Sequence, residues 1–480
     1  MKSTRILAAV VLLWASVAHA ALPRAVARAF TEAGVPLNAV AVVVQDVSRP
    51  RPLFAAQPAK AMSPASVMKL VTTFAALDLL GPSYRWRTEA YADGPIVQGT
   101  LKGNLVLKGY GDPKITIEQW QSFMTALRAN GLAAVDGDLA LDRSRFALPA
   151  YDASAFDHEP RKPYNVGPDA LLVNFKSVHL TFAPDTEAMR VVVRAEPPLS
   201  SVTVGALRAI PDEACSDWQQ RAAPSIDDRG DRGVIVFGGA YPASCGERDW
   251  WVAMLDHPHY VRGMFETYFR EAGGRFSGGV KEGVAPTNAR PFAVLESPPL
   301  SEIVRDVNKL SNNVMARQIF LTLATTRDAA PATPARAGES IKRWLASRKL
   351  AMPGLVLENG SGLSRRERTS AGSLNRLLIA ANASAVRDEF ANSLAVAAVD
   401  GTVERRFHND SVAGQALLKT GTLEGVRALA GYVNDASGRR FSVVAIVNDR
   451  NAARAGPALD FLVQWVYRNA GTFDPTLERN

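Results

Sequence analysis

Ser66 and Lys69 stand three residues apart, Ser66-Val67-Met68-Lys69, at the head of an apolar stretch that runs to Leu80. On a helix, residues i and i+3 share one face. A serine hydroxyl is a poor nucleophile until a neighbour takes its proton. A lysine whose proton affinity is lowered by burial or by another cation can be that neighbour, and a helix N-terminus favours an oxyanion close by. A second cluster, Lys419-Thr420-Gly421-Thr422, closes a strand-like run. There Lys419 can bind a substrate carboxylate, and Gly421 permits close approach of a backbone or ligand. The N–H of Thr422 can join that of Ser66 in an oxyanion hole. A third cluster, Ser311-Asn312-Asn313, offers a hydroxyl and two amides at a break between helices. Each has a plainer reading: a surface lysine beside a capping serine, a turn with a solvated lysine, and Ser311 as the N-cap of the next helix. The three in this order argue for one site, with Ser66 as nucleophile and Lys69 as its base.

The elements that must hold these groups are legible in outline. Ser63 suits an N-cap and Pro64 the first helical position, so the spacing predicts a buried helix from about Val67 to Leu80, stopped by Gly81-Pro82. Val40 to Asp46 reads as a buried strand, and Ala416 to Lys419, Val426 to Val433 and Phe441 to Val447 as three more, the last two joined by a turn at 435–438. Helical period marks Ile117 to Asn130, Val261 to Ala272, Ser301 to Leu310, Val314 to Ala324, Gly372 to Ala381 and Ala458 to Arg468. From Arg85 to Leu141, Ser177 to Val204 and Gly230 to Asp256, short alternating strands dominate. Ala329 to Ala337 reads as an Ala/Pro loop. The simplest arrangement is an α/β core split in sequence, with β-rich material inserted between its halves.

Bulk properties narrow the compartment. The 480 residues are 47% hydrophobic and 21% charged, a globular composition with a size prior of two to four domains. Lys2 and Arg5, the apolar run Ile6 to Val17 and Ala18-His19-Ala20 read as a secretory signal peptide over 1–20, with the mature chain starting at Ala21. Its loss takes the net charge from +8 to +6. No dense Lys/Arg run with interleaved aromatics occurs, so nucleic acid is not an expected partner. The expected location is the cell envelope or periplasm, soluble or peripherally attached. In that compartment the only two cysteines, Cys215 and Cys245, read as one disulfide rather than two buried thiols. The six histidines have no metal spacing, and His257-Pro258-His259 reads as a loop, so neither metal nor cofactor is expected.

With those residues in place, a resemblance emerges. Ser66-x-x-Lys69, Ser311-x-Asn313 and Lys419-Thr420-Gly421 resemble the three active-site motifs of penicillin-binding proteins and serine β-lactamases. The 242 positions from Lys69 to Ser311 (311 − 69) are far more than a class A β-lactamase has. The chain is therefore similar to class C low-molecular-mass penicillin-binding proteins, the D-alanyl-D-alanine carboxypeptidase/endopeptidase group of serine peptidase family S13. Leu105 to Pro113, Pro163 to Pro168 and Asn359 to Arg365 support the match, which runs from about Leu37 to Tyr467. It implies a β-lactamase/transpeptidase-like α/β (α+β) core, 21–84 with 290–480, and two inserted β-rich domains, 85–168 with 258–289 and 169–257.

The resemblance also implies roles. Ser66 attacks the penultimate D-Ala carbonyl and Lys69 takes its proton. Ser311 and Lys419 pass a proton to the leaving D-Ala, and Asn313 bonds the substrate peptide. Lys419, Thr420 and Thr422, with Gly421, hold the carboxylate and oxyanion, and Arg365 lies by the substrate side chain. Asn359 stands where some relatives have Asp, so no acid/base role falls there. Peptidoglycan stem peptides become the expected substrate and β-lactams covalent inhibitors. Oligomeric state, a dimer included, and the choice between carboxypeptidase and endopeptidase stay open. The rival readings are a β-lactamase, an esterase and a non-catalytic wall-binding protein on the same fold.

Overall fold

The computed structural model describes residues 22–474 apart from 212, 327 and 329. The expected signal peptide and its cleavage point lie outside the described residues. The centre is a six-stranded antiparallel sheet in the order Phe54–Ala56, Val40–Asp46, Arg440–Asn448, Val426–Asn434, Ala416–Leu423, Ala395–Val396. Val40 lies opposite Val447 and Asp46 opposite Phe441, so the two ends of the chain share one sheet. Both of its faces are covered, which is why its strands read as continuous apolar runs rather than alternating ones. Alternate side chains still part to opposite sides. Val40, Val42 and Val44 pack with the helices Arg24–Glu32 and Gly456–Asn469. Ala41 and Val43 face a larger core that contains the helices Lys69–Leu80, Leu300–Lys309, Asn313–Thr322, Pro334–Ser347 and Ala371–Asn382.

Between the halves of the core lie two β-rich modules. One holds a five-stranded sheet, from Val280–Glu282 through Leu139–Asp142, Asn104–Gly109 and Arg87–Asp93 to Ala293–Glu296, beside a smaller four-stranded one. The other is nested inside it and pairs Ser177–Asp185 with Arg190–Glu196 and Arg248–Ala253. Their apolar side chains form one continuous core, from Leu105 and Trp120 through Leu180 and Phe182 to Phe265. Cys215 and Cys245 are disulfide-bonded across a separation of 30 residues, in agreement with the sequence. On the chain-entropy account such a loop stabilises by about 3.6 kcal/mol.

Four local expectations give way. Ser63 caps no helix. Its N–H and C=O are both taken by the Asn448 side chain, at 2.8 and 3.0 Å, and the following helix opens as a tight 3-10 turn, Ala65–Met68. His257–Glu271 is one helix, capped by Asp256, so His257 and His259 lie in its first turn and not in a loop. Pro there fits a helix start as well as a loop, and Asp256 is the signal that decides. For the same reason the Ala/Pro loop ends at Thr333, which caps Pro334–Ser347. Finally, Asn312 rather than Ser311 caps Asn313–Thr322, through Oδ1 to the Met315 N–H.

The inserted modules are tied to the core beside that last helix. The Gln318 side chain donates to the carbonyls of Asp112 and Asp169, and Lys114 pairs with Asp306 at 2.5 Å. Asp112 is 1% exposed and its Oδ2 has no partner, so burial pushes its carboxyl up to about 7. An acid raised above its unfolded value near 4 supports the fold only while protonated. Stability therefore falls as pH rises from about 4 to 7, by about 4 kcal/mol at most. Asp112→Asn is expected to remove this dependence. Denaturation at pH 5 and pH 8 checks it: the wild-type loss between them should shrink in the variant.

Candidate active site

The 3-10 turn brings Ser66 to the head of the Lys69–Leu80 helix, half-buried, with Lys69 fully buried beneath it. Ala65, just before the serine, has φ 47°, and Ser311 has φ 58°. Both are left-handed without being glycine, a conformation that costs about 1–3 kcal/mol each and gathers at functional sites. Lys69 Nζ lies 2.9 Å from Ser66 Oγ, 2.6 Å from Asn313 Oδ1 and 2.6 Å from the Ser361 carbonyl oxygen. Lys419 Nζ, also fully buried, donates to Ser311 Oγ at 2.8 Å and to the Thr420 carbonyl at 2.9 Å. Among the described residues neither ammonium is paired with a carboxylate. Burial, and then the charges of Lys419 and Arg317, lower the proton affinity of Lys69 far below an ordinary lysine, with Glu367 acting in the opposite sense. Burial alone brings Lys419 down to about 7.

A neutral Lys69 amine has two N–H donors and one lone pair. Asn313 Oδ1 and the Ser361 carbonyl can only accept, so they take the two N–H groups. The lone pair is left for the Ser66 hydroxyl, the one partner that can donate. The surroundings thus both lower the proton affinity of the amine and orient it.

Ser66, Ser311, Thr420, Gly421 and Thr422 line one cleft of about 580 Å³. The Ala416–Leu423 strand brings its end against the serine turn. A side chain on Gly421 would begin 2.6 Å from the Pro64 carbonyl oxygen and 3.1 Å from Ser66 N, so only glycine lets strand and turn meet. On the side away from Val426–Asn434, the strand partner among the described residues reaches only Leu417 and Leu418, leaving the edge from Lys419 onward free of described strand pairing. The Thr420 hydroxyl bonds Thr402, which also lines the cleft.

Arg365 is placed differently. It lies over the Phe156 ring at 4.7 Å, bonds Glu424 at 3.3 Å and lines a neighbouring cavity of about 540 Å³ with Tyr151, Phe156 and Arg317. Asn359 is structural: its Oδ1 accepts from the N–H and hydroxyl of Ser361. Sequence reasoning missed Ser361, Arg317 and Glu367. Ser361 acts through a backbone carbonyl, which no side-chain motif announces. Arg317 lies one helical turn beyond Asn313, a spacing that could have drawn attention; it is 4% exposed and donates to Tyr151 Oη and the Val166 carbonyl. Glu367 sits among Arg365, Arg366 and Arg368, where a solvated charge run is the natural reading, yet it is wholly buried.

A three-layer core, a serine served by a buried lysine and a strand edge closing the cleft together define a serine acyl-transfer enzyme of the penicillin-binding fold. The chain belongs to the D-Ala-D-Ala carboxypeptidase 3 (S13) family, which it matches over residues 22–468. It is 29% identical over 433 residues to a D-alanyl-D-alanine carboxypeptidase of Actinomadura sp. strain R39, covering 87% of this chain and 78% of that one. A D-alanyl-D-alanine carboxypeptidase DacB of Haemophilus influenzae is 24% identical, over 81% of this chain and 80% of its own. The crystal structure of penicillin binding protein 4 from Haemophilus influenzae shares the fold, with a TM-score of 0.77 at 21% identity over 92% of this chain and 99% of that one. The same protein has been solved in complex with a β-lactam, with a TM-score of 0.73. No helix among the described residues is long and apolar enough to cross a membrane.

Proposed function

We propose that this protein is an exported serine D-Ala-D-Ala carboxypeptidase of peptidoglycan, working through an acyl-enzyme on Ser66. The observation that carries the reading is Lys69: wholly buried, unpaired with any described carboxylate, and hydrogen-bonded to Asn313 Oδ1, the Ser361 carbonyl and Ser66 Oγ, so that the neutral amine would turn its lone pair to the serine hydroxyl. In the first half-reaction the Ser66 proton passes to Lys69 Nζ as Oγ bonds the penultimate D-Ala carbonyl carbon. The N–H groups of Ser66 and Thr422 receive the oxyanion. The C–N bond then breaks and the leaving D-Ala amine takes a proton, for which the Ser311–Lys419 pair offers a route. Lys419 and Thr420 hold the terminal carboxylate, Asn313 steadies the peptide, and Arg365 reaches the more distant side chain from its own cavity. Water completes the cycle by hydrolysing the ester. A β-lactam enters the same way, but its ring opening leaves no departing group to clear the cleft. The core (21–84 with 290–480) carries this chemistry, and the inserted domains (85–168 with 258–289, and 169–257) frame the approach to it.

The test is incubation of the purified protein with a D-Ala-D-Ala pentapeptide and with cross-linked wall peptides, read by mass spectrometry. Release of one D-Ala from the pentapeptide is the expected result. Opening of the cross-link would add endopeptidase action. No release of D-Ala together with rapid turnover of penicillin would replace the reading by a β-lactamase.

A further inference from the structure

Glu367 is 0% exposed, and among the described residues its carboxylate is bonded by backbone N–H groups and not by side chains. Its Oε1 accepts the backbone N–H groups of Glu358, Asn359 and Gly360 at 3.0, 2.9 and 2.8 Å, and its Oε2 that of Gly362 at 2.9 Å. Four backbone donors converging on one carboxylate form an anion nest built from within the chain. Their effect is to wrap residues 358–362 into a tight loop around a single charge. That loop touches the chemistry twice. The Ser361 carbonyl receives Lys69 Nζ at 2.6 Å. Gly362, at φ 81°, lies so close to the serine turn that a Cβ there would fall 1.9 Å from the Ala65 carbonyl oxygen. The loop is pinned to the same helix once more, by Thr72 Oγ1 donating to the Gly360 carbonyl at 2.7 Å.

We propose that Glu367 is a positioning residue for the Ser66 chemistry: it builds the loop whose Ser361 carbonyl aims Lys69, and it is the negative charge that balances the cations around that lysine. This rests on the reading of Ser66 as nucleophile and Lys69 as base. The charged groups that act on Lys69 are Lys419, Arg317 and Glu367, and only Glu367 favours its protonated form. A base lowered too far by burial and two cations is a weak proton acceptor, and catalysis gains when the value lies near the working pH. Glu367 therefore does two things with one carboxylate. It holds the acceptor that orients the amine, and it keeps the amine basic enough to act.

The sign of the effect can be read directly. Glu367→Gln keeps the shape, removes the charge and turns one acceptor toward the amides into a donor. Lys69 then loses its proton more readily, and the acid limb of acylation moves to lower pH. The rate on the plateau falls about tenfold as the loop loosens. The measurement is the second-order acylation rate by benzylpenicillin across pH, followed as the mass increase of intact protein. A lower plateau with the acid limb displaced downward supports the proposal. An acid limb that stays in place or moves upward overturns it, whatever the rate. Failure of the wild-type protein to be acylated at all would instead remove the underlying reading.

Glu367→Asp covers the case in which the Gln variant does not fold. It keeps the charge but cannot span both sets of amides, so a reduced plateau with little movement of the limb is expected. A wild-type plateau in that variant overturns the positioning role.

Discussion

Ser66→Ala is expected to leave a folded protein that neither releases D-Ala nor gains mass with penicillin. Removing a nucleophile from a unit that acts together costs about as much as removing the whole unit, so the rate should fall by about 10⁴-fold or more. The structural consequence is small by comparison. Ser66 contributes one hydroxyl, half-buried, to a lysine that keeps Asn313 and Ser361 as partners. A single such bond is worth about 1 kcal/mol. Thermal denaturation alongside intact-mass measurement checks both halves. Acylation of the variant at another residue would remove Ser66 from its role.

Lys69→Met carries the second large effect. Met fills nearly the same volume but has neither lone pair nor charge. The Ser66 hydroxyl then loses the one base hydrogen-bonded to it among the described residues, and acylation is expected to fall by about 10³-fold or more. The variant also makes a claim about pH. In the wild-type protein the rate drops as pH falls through the depressed value of Lys69, because only the neutral amine accepts the proton. In the Met variant that limb should vanish. Stability is the informative control. An ordinary lysine is charged in the unfolded chain at neutral pH, so burying a lysine of lowered proton affinity costs folding free energy. Met relieves that cost while leaving Asn313 Oδ1 and the Ser361 carbonyl without a donor, at about 1–3 kcal/mol each. The two effects oppose one another, so a modest net change is expected, against a collapse of rate.

Much of the fold was open to reading along the chain. Continuous apolar runs such as Val40 to Asp46 mark strands covered on both faces, and Val426 to Val433 and Phe441 to Val447 flank a turn of Asp, Ser and Gly. Helix starts were harder. At Ser63-Pro64 the local signal pointed to a cap, but Asn448, distant in sequence, occupies both backbone groups of Ser63. At His257 the cap is the preceding Asp256, a signal that lies outside the His-Pro-His triplet.

The sequence by itself determined the proposed reacting groups. Ser66 and Lys69 share a helical face through their spacing, and Ser311, Asn313, Lys419 and Gly421 complete three short motifs, each local enough to be read without a fold. Tertiary structure decided who bonds whom. Asn312 takes the helix cap and so frees Ser311 for Lys419, and Asn313 reaches Lys69 across 244 positions. The buried Glu367 carboxylate, beside exposed Arg365 and Arg366, gathers the backbone of residues 358–362 into the loop that carries the Ser361 carbonyl. The reason is physical. Periodicity and capping are set by neighbours along the chain, whereas the burial that lowers a lysine's proton affinity, and the carbonyl bonded to it, exist only once distant segments have packed together.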